Sequence, residues 1–386
     1  MRILHVVPSY LPAVRYGGPI VSVHGLCKAL IRHGHDVHVF TTNVDGPNDS
    51  SVPLGVPVEL DGVKVRYFPV PALRRLYWSP RMGDALRQHV QTFEIVHTHS
   101  VFLWPTWAAA RTAKRNSVPY VLSPRGMLVK DLVERKSALA KKAWISLVES
   151  RNIEQAAVIH VTSQLESDEL ARFRFDLPRV CVVPNGVDPP TDVEGGRASS
   201  ASIAELASGA PYLLFVGRIN WKKGLDRLIE ALTLVPHIRL IIAGNDEEGY
   251  QPTLEALAAR HQVANRICFA GPVYGEDKQV LLRHSKAVVV PSYSENFGNV
   301  ALEAMASGSP VITTREVGAA GIVSECGAGL VVEGSPEALA SGIAALISDP
   351  QAAAAMGQRG RNAVADHYTW DAVANSMENV YRSLRT

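Results

Sequence analysis

The sequence has few cysteines and no long hydrophobic run. Its four cysteines are isolated from one another, at Cys27, Cys181, Cys268 and Cys326. This pattern excludes a disulfide framework and a metal-ligand spacing, and favours buried thiols in a reducing cytoplasm. No apolar run reaches the roughly 18 residues of a membrane-spanning helix. Five apolar residues precede Pro8, fewer than the roughly 7–15 of a signal peptide, so a first strand is expected there.

Two further absences narrow the class of protein. The segment around Gly17 and Gly18, "VVPSYLPAVRYGGP", lacks the G-x-G-x-x-G fingerprint, which counts against a dehydrogenase. Residues 1–185 contain 23 Lys and Arg against 15 Asp and Glu. Because this basic half has no interleaved aromatic residues and no recognisable reading module, binding to nucleic acid is not expected.

The remaining pattern is an alternation of short β-branched runs with segments of helical length. A first series predicts strands at 3–7, 36–41, 64–68, 94–99, 119–123, 157–163 and 179–184, with helices such as 19–32 and 102–116 between them. Residues 188–211 are rich in Pro, Gly and Ser, and a second series follows at 212–218, 238–244, 266–271, 287–292 and 310–314. This alternation predicts two α/β domains with parallel sheets.

The segment "PSYSENFGNVALEAMASGSPV" at 291–311 holds Glu295 and Glu303, eight positions apart. Its apolar spacing and Gly308 predict a strand, a loop and a helix of about ten residues. The first N–H groups of that helix belong to Phe297, Gly298, Asn299 and Val300, and helix N-termini bind phosphate groups. Carboxylates repel phosphate, so the two acids are expected to bind hydroxyls on either side of it. A nucleoside diphosphate sugar has this layout.

These residues resemble the E-x7-E signature of retaining glycosyltransferases of family 4, also called group 1. Further motifs of that family occur in the same order, at 17–41, 96–100, 182–188, 215–232 and 368–384. The resemblance implies a GT-B fold, in which two Rossmann-like domains face each other across a cleft. Residues 1–187 would bind the acceptor and 188–369 the nucleotide sugar. A C-terminal helix, 370–386, would cross back to the N-terminal domain.

The resemblance also implies roles for single residues. Glu303 would bind the ribose hydroxyls, and Glu295 the sugar hydroxyls of the donor. In "GRINWKKG", Arg218 and Lys223 would stabilise the charge that develops on the leaving diphosphate. Lys222 is the weaker candidate because the family pattern has its lysine directly before glycine.

The N-terminal half contributes further candidate residues. Gly17 and Gly18 would form the loop that closes over donor phosphate and acceptor. In "VHTHS", His99 would contact the transferred sugar, while His97 packs inward and no third metal ligand is evident. Arg125, in "SPRGML", would bind an acceptor phosphate or sugar ring, or else pair with a local carboxylate. "SPRGML" is typical of the branch found among polysaccharide-assembly enzymes.

The expected function is therefore retaining transfer of a sugar from a nucleoside diphosphate sugar to a glycan or polyprenyl-diphosphate-linked acceptor. No D-x-D pair is present, so catalysis without a metal and without a cofactor is expected. Basic and apolar residues of 130–151 are expected to rest on anionic lipid, which would place a cytoplasmic protein at the inner face of the plasma membrane. The alternative for that segment is an ordinary amphipathic helix. Two alternative functions remain: a nucleotide-sugar epimerase and a non-catalytic nucleotide-sugar binding protein.

Overall fold

The protein has two compact units. The computed structural model describes residues 1–13, 17–135, 144–190, 198, 200–246 and 248–385. The first unit comprises Met1–Gly186 together with Trp370–Thr386, and the second comprises Val187–Thr369. The chain therefore leaves the first unit, forms the second, and returns to the first for its last helix.

The first unit is built on an eight-stranded sheet. Ten strands are present in its described residues, two of them forming a separate short ribbon: β1 Arg2–Ser9, β2 Asp36–Thr42, β3 Val44–Asp45, β4 Asn48–Asp49, β5 Pro57–Leu60, β6 Val63–Phe68, β7 Ile95–His99, β8 Tyr120–Ser123, β9 Val158–Val161 and β10 Val180–Val182. The order in the sheet is β10-β9-β8-β7-β1-β2-β6-β5. All neighbouring pairs are parallel except β5 with β6.

Helices cover both faces of this sheet. They are α1 Gly18–Arg32, α2 Pro80–His89, α3 Trp104–Arg115, α4 Lys130–Arg135, α5 Ser150–Glu154 and α6 Gln164–Ala171, and the C-terminal helix Trp370–Arg382. On one face, α1 and the C-terminal helix bury a core that contains Leu26, Leu30 and Met377. On the other face, α2 and α3 bury a second core around Leu86 and Ala109.

The last helix is fixed to the first unit by Trp370. This indole is 6% exposed and lies against two glycines. A Cβ added at Gly25 would lie 2.3 Å from the indole, and one added at Gly186 would lie 2.8 Å from it. Glycine is therefore required at both positions for the tryptophan to pack. His33 and His35 contact Glu378 of the same helix.

The second unit has a six-stranded parallel sheet. Its strands are β11 Tyr212–Val216, β12 Arg239–Ala243, β13 Ile267–Gly271, β14 Ala287–Val290, β15 Val311–Thr314 and β16 Gly329–Val332. Its helices are α7 Ala201–Ser208, α8 Leu225–Leu232, α9 Gln251–Arg260, α10 Gly275–His284, α11 Asn299–Ala306, α12 Ala320–Glu325, α13 Pro336–Ser348 and α14 Pro350–Ala363, so the C-terminal helix is α15. The strand order is β13-β12-β11-β14-β15-β16.

This order makes the second unit doubly wound. From β11 the chain adds strands outward on one side through β13, and then returns to place β14 on the other side of β11. β11 and β14 are direct parallel neighbours, with Leu213 opposite Ala287. Ligands of such sheets bind beyond the carboxyl ends of the strands at the point where the order reverses. The expected binding position in this unit is therefore the edge beyond β11 and β14.

The prediction of two Rossmann-like α/β domains is confirmed, and each predicted strand is present with shifted ends. Sequence reasoning missed the edge strand β5, whose first residue is Pro57, because proline weakens a strand signal and is tolerated at sheet edges. It also missed β16, a strand of only four residues. Within the described ranges, no helix combines the length and the apolar character needed to cross a bilayer.

Candidate functional site

The two segments that follow β11 and β14 lie together in the second unit. Beyond β11, Asn220 caps the short helix Trp221–Lys223 by accepting the N–H of Lys222. The carbonyl of Lys222 in turn accepts the N–H of Tyr293, 2.8 Å away, in the loop after β14. Gly224, at φ 65°, makes this approach possible, since a Cβ there would lie 1.9 Å from the carbonyl oxygen of Pro291.

Lys223 and Glu295 meet at this position. The ammonium of Lys223 forms a direct ion pair with the carboxylate of Glu295. The two side chains are 19% and 21% exposed, so solvent still reaches both. The backbone of Glu295 is held by the loop after β15, because its N–H donates to Glu316 and its carbonyl accepts from Gly318. This pair therefore has a fixed backbone and an accessible charged end.

Glu303 lies one turn into α11 and also has a cationic partner. Its carboxylate is 2.7 Å from the ammonium of Lys278, on α10, and the two side chains are 24% and 23% exposed. Sequence reasoning did not identify Lys278, because it lies on a different helix 25 positions before Glu303. The two carboxylates can accept hydrogen bonds from hydroxyl groups, and the lysines beside them can bind an anion.

Gly298 sets the start of α11. Its φ is 87°, and a Cβ there would lie 2.8 Å from Val317 Cγ1, so both the backbone conformation and the close contact require glycine. No side-chain cap is present at this helix start. Phe297 is buried and its carbonyl accepts from Ala319, whereas Asn299 and Val300 are half-buried.

Arg218 follows β11 and is exposed. In the described part of the chain its guanidinium contacts no carboxylate, in contrast to Lys223. The structure thus brings Lys223 and Glu295 into contact, places Glu303 beside Lys278, and leaves the Arg218 side chain in solvent. Whether these residues contact a donor remains a prediction.

In the first unit, four buried histidines gather on the central strands. His5 is on β1, His97 and His99 are on β7, and His160 is on β9. His97 and His99 are 0% and 1% exposed. Their ring centroids are 4.2 Å apart. The spacing "VHTHS" indicated two of these histidines, but the other two come from distant strands and gave no signal in the sequence.

A hydrogen-bond chain fixes the protonation of His97. The Nε2 of His160 is 2.9 Å from the carbonyl of Val183, so it carries the hydrogen and Nδ1 of His160 accepts from Ser123 Oγ at 2.8 Å. Ser123 then accepts from His97 Nε2 at 2.7 Å, and His97 Nδ1 accepts from the Tyr381 hydroxyl at 2.7 Å. Both ring nitrogens of His97 are therefore used inside the protein.

A second chain runs from Arg125 to His5. The guanidinium of Arg125 donates to His99 Nδ1 from Nε and Nη2, at 3.3 and 3.2 Å. His99 consequently carries its hydrogen on Nε2 and donates it to His5 Nδ1, 2.9 Å away. His5 is then protonated on Nε2, a buried atom that has no hydrogen-bond partner. Both ring nitrogens of His99 therefore make hydrogen bonds, and the N–H that lacks an acceptor is the Nε2–H of His5.

Burial and the nearby guanidinium keep these rings neutral. Burial, followed by the charge of Arg125, lowers the pKa of His5 to about 3, and the same two causes lower the pKa of His160 to about 3. Burial also lowers the pKa of His97 and of His99 well below the ordinary value. The cationic charge in this cluster is therefore that of Arg125.

The distances alone suggest a metal site at His5, His97 and His99, whose ligand atoms lie within 4.8 Å of one another. The sequence showed no third metal ligand near "VHTHS", but in the structure β1 places His5 beside His97 and His99. However, both ring nitrogens of His97 and His99 already make hydrogen bonds. The trio is better described as part of a hydrogen-bond network.

Gly17 and Gly18 begin α1. Gly17 has φ 71° and precedes the helix, whose first residue is Gly18. Residues 14–16, the remainder of the predicted glycine loop, lie outside the described residues. Of the basic segment 130–151, residues 136–143 also lie outside them, whereas Lys130 is described and its backbone N–H contacts Glu169.

The second unit is a doubly wound α/β unit of the kind that binds ligands beyond its strand ends, and the paired lysines and carboxylates follow those ends. Comparison with known families is consistent with this class. Residues 199–363 match the family "Glycosyl transferases group 1", and residues 17–186 match the "Glycosyl transferase 4-like domain". A D-inositol 3-phosphate glycosyltransferase of Xylanimonas cellulosilytica is 30% identical, over 95% of this chain and 91% of that protein. The chain belongs to the group 1 family of glycosyltransferases.

Two solved structures share the fold. The sucrose-phosphate synthase of Thermosynechococcus elongatus has a TM-score of 0.77 at 24% identity, covering 99% of this chain and 98% of that one. Anabaena HepE, solved in complex with UDP and glucose, has a TM-score of 0.75 at 20% identity, covering 99% of this chain and all of the other. These structures share the fold of this chain, so the GT-B fold expected from the resemblance is confirmed.

Proposed function

We propose that this glycosyltransferase transfers a sugar from a nucleoside diphosphate sugar to a glycan or a polyprenyl-diphosphate-linked acceptor, with retention of the anomeric configuration. The observation that supports it best is the contact between Lys223 and Glu295 beyond β11 and β14, with the Glu303 and Lys278 pair nearby in the same unit. UDP and glucose in Anabaena HepE support this class of donor.

In this proposal the second unit binds the donor. Glu303 accepts hydrogen bonds from the ribose hydroxyls, and Glu295 accepts them from the sugar. The N–H groups at the start of α11 contact the diphosphate, since the amino end of a helix favours anions. Gly298 lets the phosphate approach that backbone closely. Lys223 turns from Glu295 toward the diphosphate when the donor enters, and Arg218 joins it from solvent.

The reaction breaks the bond between the anomeric carbon and the diphosphate oxygen, and forms a bond from that carbon to an acceptor hydroxyl oxygen on the same face. The bonding electrons remain with the diphosphate, and its oxygen takes the proton of the hydroxyl. Arg218 and Lys223 stabilise the charge that grows on the diphosphate more than they stabilise the bound substrate. With the charge stabilised by these two cations, the proposed reaction needs neither a metal ion nor a cofactor.

The first unit binds the acceptor in this proposal. Arg125 contacts it, the loop at Gly17 and Gly18 closes over it, and His99 positions the transferred sugar. The expected role is assembly of exopolysaccharide, capsule or lipopolysaccharide at the cytoplasmic face of the plasma membrane. The basic segment 130–151 would hold the protein there reversibly.

Mass spectrometry of reaction products provides the test. The protein is incubated with UDP-, GDP- and ADP-sugars, with and without glycan and polyprenyl-diphosphate-linked acceptors, in buffer with excess EDTA. The proposal expects a glycosylated acceptor and free nucleoside diphosphate, with the donor's anomeric configuration retained by NMR. Epimerised donor or free nucleotide formed without acceptor would identify an epimerase instead. Donor binding without any turnover would identify a binding protein.

A further inference from the structure

Arg125 is a half-buried cation whose hydrogen-bond partners are all neutral. It follows β8 at a left-handed φ of 55°. Two of its nitrogens donate to His99 Nδ1, and Nη1 donates to Asn185 Oδ1 at 3.0 Å. Among the residues described, no carboxylate makes an ion pair with it. The alternative given above, an ion pair with a local carboxylate, is thus not found among these residues.

The carboxylate of Glu166 influences Arg125 without contacting it. Burial lowers the pKa of Arg125, and the charge of Glu166 raises it. One oxygen of Glu166 accepts from the N–H of Gly126, and the other accepts from the N–H and hydroxyl of Thr162. Glu166 thus holds the turn that presents Arg125 without contacting its guanidinium. Withdrawing a charge from water, even in part, is costly when no opposite charge contacts it.

The imidazoles beside Arg125 add donors and no negative charge. Arg125 donates to His99, and His99 donates to His5. This chain of donors ends at the Nε2–H of His5, which is buried and has no hydrogen-bond partner. A guanidinium carries five N–H groups in a planar fork, and its bonds to His99 and Asn185 leave part of that fork unused. The cluster consequently offers donors and positive charge, which is the complement of an oxyanion.

We propose that Arg125 binds an oxyanion, a carboxylate or a phosphate, carried by the acceptor. The acceptor class would then be an acidic or phosphorylated glycan. This inference deepens the proposed function, on which it rests for the role of the first unit. The oxyanion completes the ion pair that Arg125 lacks, and the planar fork binds it through two parallel hydrogen bonds.

The test uses small probes on the whole protein. The protein is first saturated with the nucleoside diphosphate that binds best, so that phosphate esters do not occupy the donor site. Glucuronate, glucose 1-phosphate and glucose are then titrated by NMR. At least one of the two anions should bind and glucose should not. Binding of glucuronate alone indicates an acidic sugar, and binding of glucose 1-phosphate alone indicates a phosphorylated one.

Two substitutions make the assignment specific. Asn185→Asp keeps the shape of the side chain and supplies Arg125 with the missing carboxylate, so it should weaken anion binding at least tenfold without lowering Tm. Arg125→Lys keeps the charge but removes the planar fork of N–H groups, so it should also weaken anion binding. Asn379→Asp adds the same charge on the exposed side of α15 and should bind the anions as the wild type does.

The outcomes separate this inference from the proposed function. Equal anion affinity in wild type, Asn185→Asp and Arg125→Lys would overturn it, as would wild-type protein that binds neither anion. If neutral acceptors are glycosylated as fast as acidic or phosphorylated ones, the inference fails while sugar transfer stands. If no nucleoside diphosphate binds and no acceptor is modified, the proposed function itself fails.

Discussion

At the scale of the residue, each of the two carboxylates of the candidate site in the second unit forms an ion pair with a lysine. Glu295 contacts Lys223, and Glu303 contacts Lys278 at 2.7 Å. Ion pairs that are partly exposed contribute little to folding stability. In the proposed function, each pair keeps its carboxylate oriented and places its lysine where it can turn toward an entering anion.

Replacing Glu303 tests its assignment to ribose. Glu303→Ala removes the acceptor for the ribose hydroxyls, and hydrogen bonds to a charged group contribute roughly 1.5–3 kcal/mol. Calorimetry should therefore show weaker binding of the nucleoside diphosphate by about that amount. Glu333→Ala, which removes an exposed carboxylate paired with Arg315, is the matched control and should have no effect. Unchanged affinity in Glu303→Ala would show that Glu303 does not bind the nucleotide.

Replacing the two cations tests the site of the leaving group. Arg218→Ala and Lys223→Ala should each lower kcat at least about tenfold, since either residue stabilises charge that grows in the transition state. Lys222→Ala is the control, because the ammonium of Lys222 lies over the Trp221 ring, 5.8 Å from its centroid. Circular dichroism verifies that each variant is folded. A variant with full activity would remove that cation from the leaving-group site.

At the scale of the element, β1, β7, β8 and β9 together with α15 hold the histidine network. The sequence predicted each of these strands, and residues two positions apart on a strand, such as His97 and His99, lie on the same face. It did not predict His5 or His160. Their approach depends on which strands are neighbours and in what register, as in the pairing of His5 with His97. Strand order is a long-range property that local patterns do not contain.

The same limit applies to the candidate site of the second unit. The sequence predicted Glu295 and Glu303 because the loop and helix that carry them are contiguous. Lys223 was predicted as a cation, but its contact with Glu295 depends on β11 lying beside β14. Lys278 carries no local signal at all. The chemistry of one contiguous segment can therefore be predicted from the sequence. A contact between two segments can be predicted only when the order of the strands in the sheet is known.

The histidine network predicts acid sensitivity. The pKa of His5 and that of His160 are lowered by burial to about 3 in the folded protein, below the value of about 6.5 in an unfolded chain. The unfolded state therefore binds more protons below pH 6.5, and stability is lost as the pH falls from there toward 3. Each of the two histidines should account for about 2 kcal/mol between pH 7 and pH 5.

Denaturant unfolding at pH 7, 6 and 5, at constant ionic strength, measures this loss. His160→Gln should reduce the slope of stability against pH by about one proton, although it also weakens the fold through the lost bond to Val183. Replacing the exposed His284 by Gln is the matched control for loss of a surface histidine. Stability that stays constant or rises from pH 7 to pH 5 would contradict neutral burial of these rings.

At the scale of the whole molecule, the two units differ in charge as well as in chemistry. The first unit, residues 1–186 and 370–386, contains 25 Lys and Arg against 17 Asp and Glu, while the second, residues 187–369, contains 14 against 20. The excess of positive charge lies in the unit that contains Arg125 and the basic segment 130–151. An acidic acceptor and an anionic membrane would both be attracted to that unit rather than to the other.

We predict that anionic lipid binds the first unit through the basic segment 130–151. Residues 130–151 include Lys136, Lys141 and Lys142 beside Trp144 and other apolar residues, and each basic residue near an anionic surface contributes about 1 kcal/mol. The protein should therefore sediment with vesicles that contain phosphatidylglycerol at low salt, remain free at high salt, and remain free with neutral vesicles.

Charge reversal locates this contact. Changing Lys136, Lys141 and Lys142 to Glu should abolish sedimentation and leave nucleotide affinity unchanged, because the donor residues belong to the other unit. Reversing three exposed basic residues of α2 and α3, Arg81, Lys114 and Arg115, makes the same change in net charge. If both triple variants lose binding equally, the attraction comes from net charge rather than from the segment. If wild-type protein stays in the supernatant with both kinds of vesicle, a water-soluble acceptor replaces the lipid-linked one.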